Sequence, residues 1–469
     1  MVKDTPEDLS SPISLSYPIN KKWLLLVLIL EGIIFSLALL LPIRATIAII
    51  IGIGGIIFIL LNKKPVIASL IVSLFVAIIL PYPTRRDFLF KLEEVFPLIT
   101  LFFLILGSLE AKIKKEPIGR IGKCLLGFLI VVIISALIGL TKGRGKIIIF
   151  DELMMLFLWG IYFIVLKIDL TEKETKEILL AIVITSLIIS FYYSYQFYSL
   201  GGAERFRTDQ QHIFNFTIPL LFALFLYDKR KRWKISAFLL MIPMIIAVYI
   251  TLTRALWLLI PLALFSQYLY FIRTGAGEKR LYSYIFPILI IVIIGLFGLM
   301  LLNTFFGVER LLGGRFASFK ILEYDVSLLA RMELGKYVIE KVRQSPFLGV
   351  GLADFVRYRY FPTLGRFNVY LLDNTYLQLL WKTGILGLTL FLGMMGFFLA
   401  RAWFILKKGR TTFDKIIGSS IFFSFLTLMI SGLQCAILVG YRFNLVWAVL
   451  AGITELRARE IKNQIERKD

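Results

Sequence analysis

The sequence predicts an all-α, polytopic integral membrane protein with about 14 transmembrane helices and one large external loop. Three observations carry this. Hydrophobic residues fill 58% of the 469 positions. Apolar runs of roughly 15 to 20 residues recur down the whole chain, and a run near 20 crosses a bilayer as a helix. The runs are continuous rather than alternating, which excludes a β-barrel.

Residues 1–20 read as a polar tail with Pro6, Pro12 and Pro18. No cleavable signal peptide is expected, because no small-residue cleavage site follows the first apolar run. Spans are then expected at 23–41, 45–61, 66–80, 90–108, 121–140, 147–166, 177–198, 213–227, 235–252, 255–272, 284–302, 376–400, 416–433 and 436–452. This divides the chain into a membrane domain over 21–302, an external loop over 303–372, a second membrane domain over 373–453 and a basic tail over 454–469.

The net charge of +22 would suggest nucleic acid in a soluble protein. Here the surplus sits in short loops, where it sets orientation, and no nucleic-acid partner is expected. Lys21-Lys22, Lys63-Lys64, Lys112–Lys115, Lys229–Arg232, Arg273 with Lys279-Arg280, and Lys407-Lys408 fall on one side, which the positive-inside rule makes cytoplasmic. Both termini are then cytoplasmic. One loop dissents: Lys142, Arg144 and Lys146 land on the outer face. Cys124 and Cys435 fall on opposite faces, so no disulfide is expected.

The external loop carries the densest charge. Arg310, Arg315, Lys320, Arg331, Lys336, Lys341, Arg343, Arg357, Arg359 and Arg366 alternate with Glu309, Glu323, Asp325, Glu333, Glu340 and Asp354. Ser327 is positioned to cap a helix reaching about Gln344, with Leu329, Met332, Leu334, Tyr337, Val338 and Val342 as its apolar stripe. Pro346 follows it. Gly349-Val350-Gly351 is a turn where backbone approaches either a ligand or a helix. Residues 355–361 mix aromatics with Arg357 and Arg359, which suits sugar stacking and diphosphate binding, or equally a headgroup-level amphipathic segment.

Elsewhere, Arg205 and Arg207 lie in an outer loop before a span. As a pair they read either as an anion clamp, since guanidinium forks match phosphate oxygens, or as solvated interface anchors. Arg254 interrupts a long apolar stretch and marks either a tight turn or a polar cavity. His212, the single histidine, reads as an interfacial residue or a base. Asp373 is positioned to cap the next helix, beside Asn374 and Tyr376. Glu31 and Arg442 sit inside apparent spans and are functional hypotheses by default. No metal constellation or Walker A motif is present, so neither a metal nor another cofactor is expected, and the substrate must arrive already activated.

As an ordered set over about 200–400, these residues resemble the O-antigen ligase/polymerase family. The family pattern has an arginine-bearing outer loop, a T-x-S-R-like turn and a long external loop reading roughly R…P-x-x-G-x-G-x-x-x-F…H-N-x-Y-L…G-x-x-G. Here these correspond to Arg205 and Arg207, to Thr251-Leu252-Thr253-Arg254, and to Arg331, Pro346, Gly349, Gly351, Phe355, Asn374, Tyr376, Leu377, Gly384 and Gly387. The family's histidine, its presumed base, is Asp373 in this chain.

The resemblance implies a metal-independent, inverting membrane glycosyltransferase in the bacterial inner membrane. It would take a glycan from a polyprenyl-diphosphate carrier at the outer face. Asp373, Arg331 and Arg207 would be catalytic. Arg205, Arg254, Gly349, Gly351, Arg357, Asn374, Tyr376 and His212 would bind substrate. The acceptor is lipid A-core sugar for a ligase or another glycan for a polymerase. A lipid-glycan flippase or transporter is the competing class, but such proteins usually show internal repeats and need no external domain.

Overall fold

The computed structural model describes residues 54–55, 58–59, 62, 64–79, 117–168, 170–199, 209–251, 253–274, 326–359 and 366–467. The chain divides into two units, 1–62 and 63–469. The first contributes only five described residues, four of them helical and Asn62 in a bend. Every element below belongs to the second.

That unit is helical almost throughout: α1 (Pro65–Ile79), α2 (Arg120–Thr141), α3 (Lys146–Phe157), α4 (Ile161–Lys167), α5 (Glu172–Ser199), α6 (Phe214–Tyr227), α7 (Lys231–Ile250), α8 (Arg254–Arg273), α9 (Val326–Gln344), α10 (Thr375–Lys408), α11 (Thr412–Ser431) and α12 (Tyr441–Glu466). A 3₁₀ turn over Leu158–Gly160 joins α3 to α4, so the span expected at 147–166 is one helix tightened at its middle. Among the described residues, seven helical segments are long and apolar enough to cross a membrane. The spans expected at 23–41, 90–108 and 284–302 lie outside the described residues, as does most of 45–61. The stretch expected as a basic tail from 454 is helical to Glu466, and Thr454, Glu455, Ala458 and Ile461 are buried in it.

The burial pattern is that of a bilayer protein. Leu126, Ile130, Ile133, Leu137 and Leu140 form an exposed stripe on α2, while Leu125, Phe128, Val132 and Ala136 point inward. On α5, Leu180, Ile184, Ile188, Phe191 and Tyr195 do the same. Apolar stripes facing outward at helical spacing are stable only where lipid covers them. The interior holds the hydroxyls. Thr185, Ser186 and Ser420 each donate to the carbonyl four residues earlier, at 2.6, 2.8 and 2.7 Å. The chain is an all-α membrane protein.

Helices meet through small residues, as expected where lipid supplies no hydrophobic drive between them. A Cβ on Gly418 of α11 would stand 2.6 Å from the Leu406 backbone nitrogen of α10, and one on Gly452 of α12 would stand 2.6 Å from Val165 of α4. Pro219, Pro243 and Pro261 sit inside α6, α7 and α8, tolerated because packed neighbours can satisfy the freed backbone.

The segment between α8 and α10 builds its own small core. Val326 is already helical, so Ser327 lies within α9 rather than at its cap. Its stripe narrows to Leu334, Val338 and Val342, spaced four apart, packed with Val350, Val356, Leu372 and Trp381. Met332 and Tyr337, expected in the stripe, are exposed. One short antiparallel hairpin stands beside the helices: strands β1 (Val356–Arg359) and β2 (Arg366–Val369), with Val356 opposite Val369. Val-Arg-Tyr-Arg alternates apolar and polar with period two, the signature of a half-buried strand.

The close approach of α10 and α11 gives a direct test. Gly418→Leu should lower the apparent melting temperature in detergent by several degrees. Gly396→Leu, where a Cβ meets nothing within 4 Å, should leave it nearly unchanged. Equal shifts would contradict the packing.

Candidate active site

The head of α10 is broken and refilled. Gly384 takes φ +69°, which interrupts the helix after Thr383. In an unbroken helix Ile385 N–H would donate to Trp381 C=O, and Leu386 N–H to Lys382 C=O. Instead the stretch after α9 inserts. Ile385 N–H donates to Pro346 C=O at 2.8 Å, and Leu386 N–H to Phe347 C=O at 3.2 Å. Val350 N–H donates to Trp381 C=O at 3.0 Å, and Gly351 N–H to Lys382 C=O at 3.2 Å. Two helix bonds are exchanged for four, so all four backbone groups of the lost bonds stay paired.

The glycines follow from this exchange. Gly349 (φ +74°) and Gly351 (φ +98°) adopt left-handed backbone, and a Cβ on Gly349 would lie 2.5 Å from the Lys382 carbonyl carbon. Their N–H groups go to Ser345 C=O and Lys382 C=O. These two donors, of residues expected to bind substrate, are thus committed within the protein. The loop also reaches α2, where Leu352 N–H donates to Ser135 C=O at 3.0 Å and Ser135 Oγ donates to Lys382 C=O at 2.6 Å.

A charge cluster closes around the insertion. Lys382 Nζ meets Glu152 Oε1 of α3 at 2.8 Å, both side chains buried, and donates to Asp354 C=O at 2.6 Å. Glu152 Oε2 accepts from Ala353 N–H at 2.8 Å. The Asp354 carboxylate takes Arg144 at 2.8 Å, Lys341 of α9 at 2.7 Å and Trp381 Nε1 at 2.9 Å. Arg144 also donates to the carbonyls of Val350, Gly351 and Leu352, and Lys142 to that of Val350. Burial pushes the Arg144 guanidinium below its ordinary value, and Asp354 and Glu152 pull it back up. The loop that dissented from the charge rule thus touches the stretch after α9, with Lys142 and Arg144 bound to it.

Sequence reasoning passed over this cluster. The rule that made Glu31 and Arg442 suspicious, an ionisable residue inside an apparent span, applies equally to Glu152 and Lys382. Glu31 and the Arg442 side chain lie outside the described residues.

Above the cluster, Arg331 Nε meets Asp373 Oδ2 at 2.9 Å. Two of the three expected catalytic residues are therefore in contact, at 47% and 61% side-chain exposure. Asp373 is not the helix cap. Asn374 is: its Oδ1 accepts from Leu377 N–H at 2.9 Å, while its Nδ2 donates to Leu433 C=O at 3.0 Å. Tyr376 OH donates to Met429 C=O at 2.6 Å, and Thr375 Oγ1 to Cys435 C=O at 2.9 Å. The Asn-x-Tyr pattern thus ties α10 to the end of α11, a structural duty for two residues expected to bind substrate. Asp373 is left facing outward.

Arg205 and Arg207 lie outside the described residues, as does the Arg254 side chain at the start of α8. His212 is buried, its ring 5.8 Å from that of Phe443, with no partner for Nδ1 among the described residues. The adjoining Gln211 Oε1 accepts from Thr253 Oγ1 at 3.1 Å, which joins the 209–213 turn to the start of α8. Arg357 is exposed on β1, 5.8 Å from the Phe355 ring.

Removing one partner from a buried ion pair costs about 3–5 kcal/mol, whereas replacing both by apolar residues is often tolerated. Glu152→Gln should therefore abolish a monodisperse gel-filtration peak or lower the melting temperature sharply, and Glu152→Leu with Lys382→Met should recover much of it. A silent Glu152→Gln would contradict the pairing. Asn374→Ala should cost about 1 kcal/mol through the lost cap, while Asp373→Asn should leave stability unchanged.

Residues 237–392 match the family model described as O-antigen ligase, a segment that contains most of α7, all of α8 and α9, the hairpin and the broken head of α10. No curated protein matches the chain. Over that segment the chain is similar to the O-antigen ligase family.

Proposed function

We propose that the protein is a glycosyltransferase of the O-antigen ligase type. It moves a glycan from a polyprenyl-diphosphate carrier to lipid A-core sugar at the outer face of the bacterial inner membrane. The single observation that carries this reading is the exposed Arg331–Asp373 pair, set on a rigid frame within a family-matched segment. An exposed ion pair contributes only about 0–1 kcal/mol, so substrate can open it with little loss.

In this proposal Arg331 leaves Asp373 for the donor diphosphate and neutralises the charge that builds on it as the glycosidic C–O bond breaks. The acceptor hydroxyl oxygen attacks the anomeric carbon from the opposite side, its proton passes to the Asp373 carboxylate, and the carrier departs as polyprenyl diphosphate. One displacement inverts the centre. Arg207, with Arg205 beside it, completes the clamp, Arg254 and His212 border the site, and no metal takes part. The chain spans the membrane about fourteen times with both termini cytoplasmic, and 303–372 lies outside. A polymerase, using a growing glycan as acceptor, is the second reading. Asp373 standing where the family has histidine favours it.

Arg331→Ala and Asp373→Asn should each lower transfer from lipid-linked donor by about 10²-fold or more, with folded protein unchanged. Arg331→Lys should rescue in part, because it cannot form the fork. Asp373→His should keep more activity than Asn. Near-wild-type turnover in Asp373→Asn would remove the base from the scheme and turn attention to His212. A reporter fused at Phe355 should read external and one at Lys231 cytoplasmic; a cytoplasmic Phe355 would place the chemistry on the wrong face. Long chains accumulating on the carrier in a deletion strain indicate a ligase, and single repeat units a polymerase.

A further inference from the structure

We propose that the cleft between the second half of α9 and strand β1 binds the glycan chain, holding sugar rings beyond the one that reacts. The proposal rests on the transfer reading above and names a site for the part of the substrate that reading leaves unplaced. The cleft measures about 430 Å³ and is lined by Tyr337, Glu340, Lys341, Gln344, Phe355 and Arg357.

Its chemistry selects the ligand. A sugar ring presents an apolar C–H face and a rim of hydroxyls. Tyr337 is 45% exposed and, with Phe355, supplies aromatic surface. Phe355 is steadied by Tyr370, with ring centroids 5.5 Å apart, and by Arg357. Glu340 offers acceptors, Arg357 donors and Gln344 both. Neither the Glu340 nor the Gln344 side chain makes a hydrogen bond or ion pair among the described residues, so their polar atoms are available to a ligand. A diphosphate would be repelled by Glu340, and a lipid chain would strand this polar rim.

The floor is built to stay. Asp354, buried, is held by Arg144, Lys341 and Trp381, and Lys341 also donates to Phe355 C=O. Geometry fixes the cleft's place along the substrate. Tyr337 and Gln344 are six and thirteen residues from Arg331 on one helix, so about 9 to 20 Å along its axis. That is too far for the reacting bond and within reach of later sugars on the same chain.

The test needs no turnover. The full chain in lipid nanodiscs is titrated with the lipid-free repeat-unit oligosaccharide released by mild acid from the organism's own surface polysaccharide. Binding is followed by saturation-transfer NMR. Wild type should show saturated sugar protons, and Tyr337→Ala and Gln344→Ala should each weaken binding about tenfold. Both residues are exposed, so folding should survive; Glu340→Ala gives the same readout if either variant misfolds. No binding in wild type, or equal affinity in all variants, overturns the proposal. So does loss of bound phosphatidylglycerol in place of oligosaccharide, which would make the cleft a headgroup contact. Transfer by Arg331→Ala is measured separately, so the transfer reading can fail while the cleft stands.

Discussion

The structure depends on one exchange of backbone hydrogen bonds. Helix α10 gives up two of its own bonds at Gly384, and the loop after α9 supplies four in return. Each buried bond contributes about 0.5–1.5 kcal/mol net, which is modest, but leaving such a group unpaired near a bilayer costs more. The loop cannot withdraw without stranding the break, and α10 cannot close without expelling the loop. The ion cluster around Lys382, Glu152, Asp354 and Arg144 then makes partial withdrawal costly, because each charge would lose its partner away from water.

What this exchange positions is the candidate site. Lys341 fixes the end of α9 to Asp354, and the apolar row Leu334, Val338 and Val342 lays the helix along Trp381. Asn374, Thr375 and Tyr376 pin the start of α10 to the end of α11. Arg331 and Asp373 project from these two anchored elements and meet. A frame that holds its own members while leaving this pair exposed suits the proposed transfer, in which preorganised charge would do most of the stabilising.

The helices were legible because lipid imposes continuous apolar runs, and α9 was legible from its spacing and from Pro346. The hairpin was missed because arginine and tyrosine at 357–359 suggested an interfacial segment, and period two over four residues is a weak signal. The cap was read at Asp373 and stands at Asn374, since Asp and Asn are both good caps and adjacent positions compete. The G-x-G turn was ambiguous in the sequence between a ligand and a helix; its partner, the break at Gly384, lies more than thirty residues away, and backbone pairing leaves no side-chain signature. The loop carrying Lys142 and Arg144 looked like an exception to charge-based orientation because both cations are used by a fold contact that the sequence does not display.

The most direct test of the account is a distance measurement across the frame. Spin labels at Met332 on α9 and Leu433 beyond α11, both exposed, would be placed in a chain lacking Cys124 and Cys435, and read by pulsed electron paramagnetic resonance in nanodiscs. The account predicts a single narrow distance distribution that broadens markedly in Lys382→Met, where the cluster beneath the inserted loop loses its central cation. A distribution equally narrow in both proteins would contradict it, and would mean that α9 and the loop after it are held by something other than the break in α10.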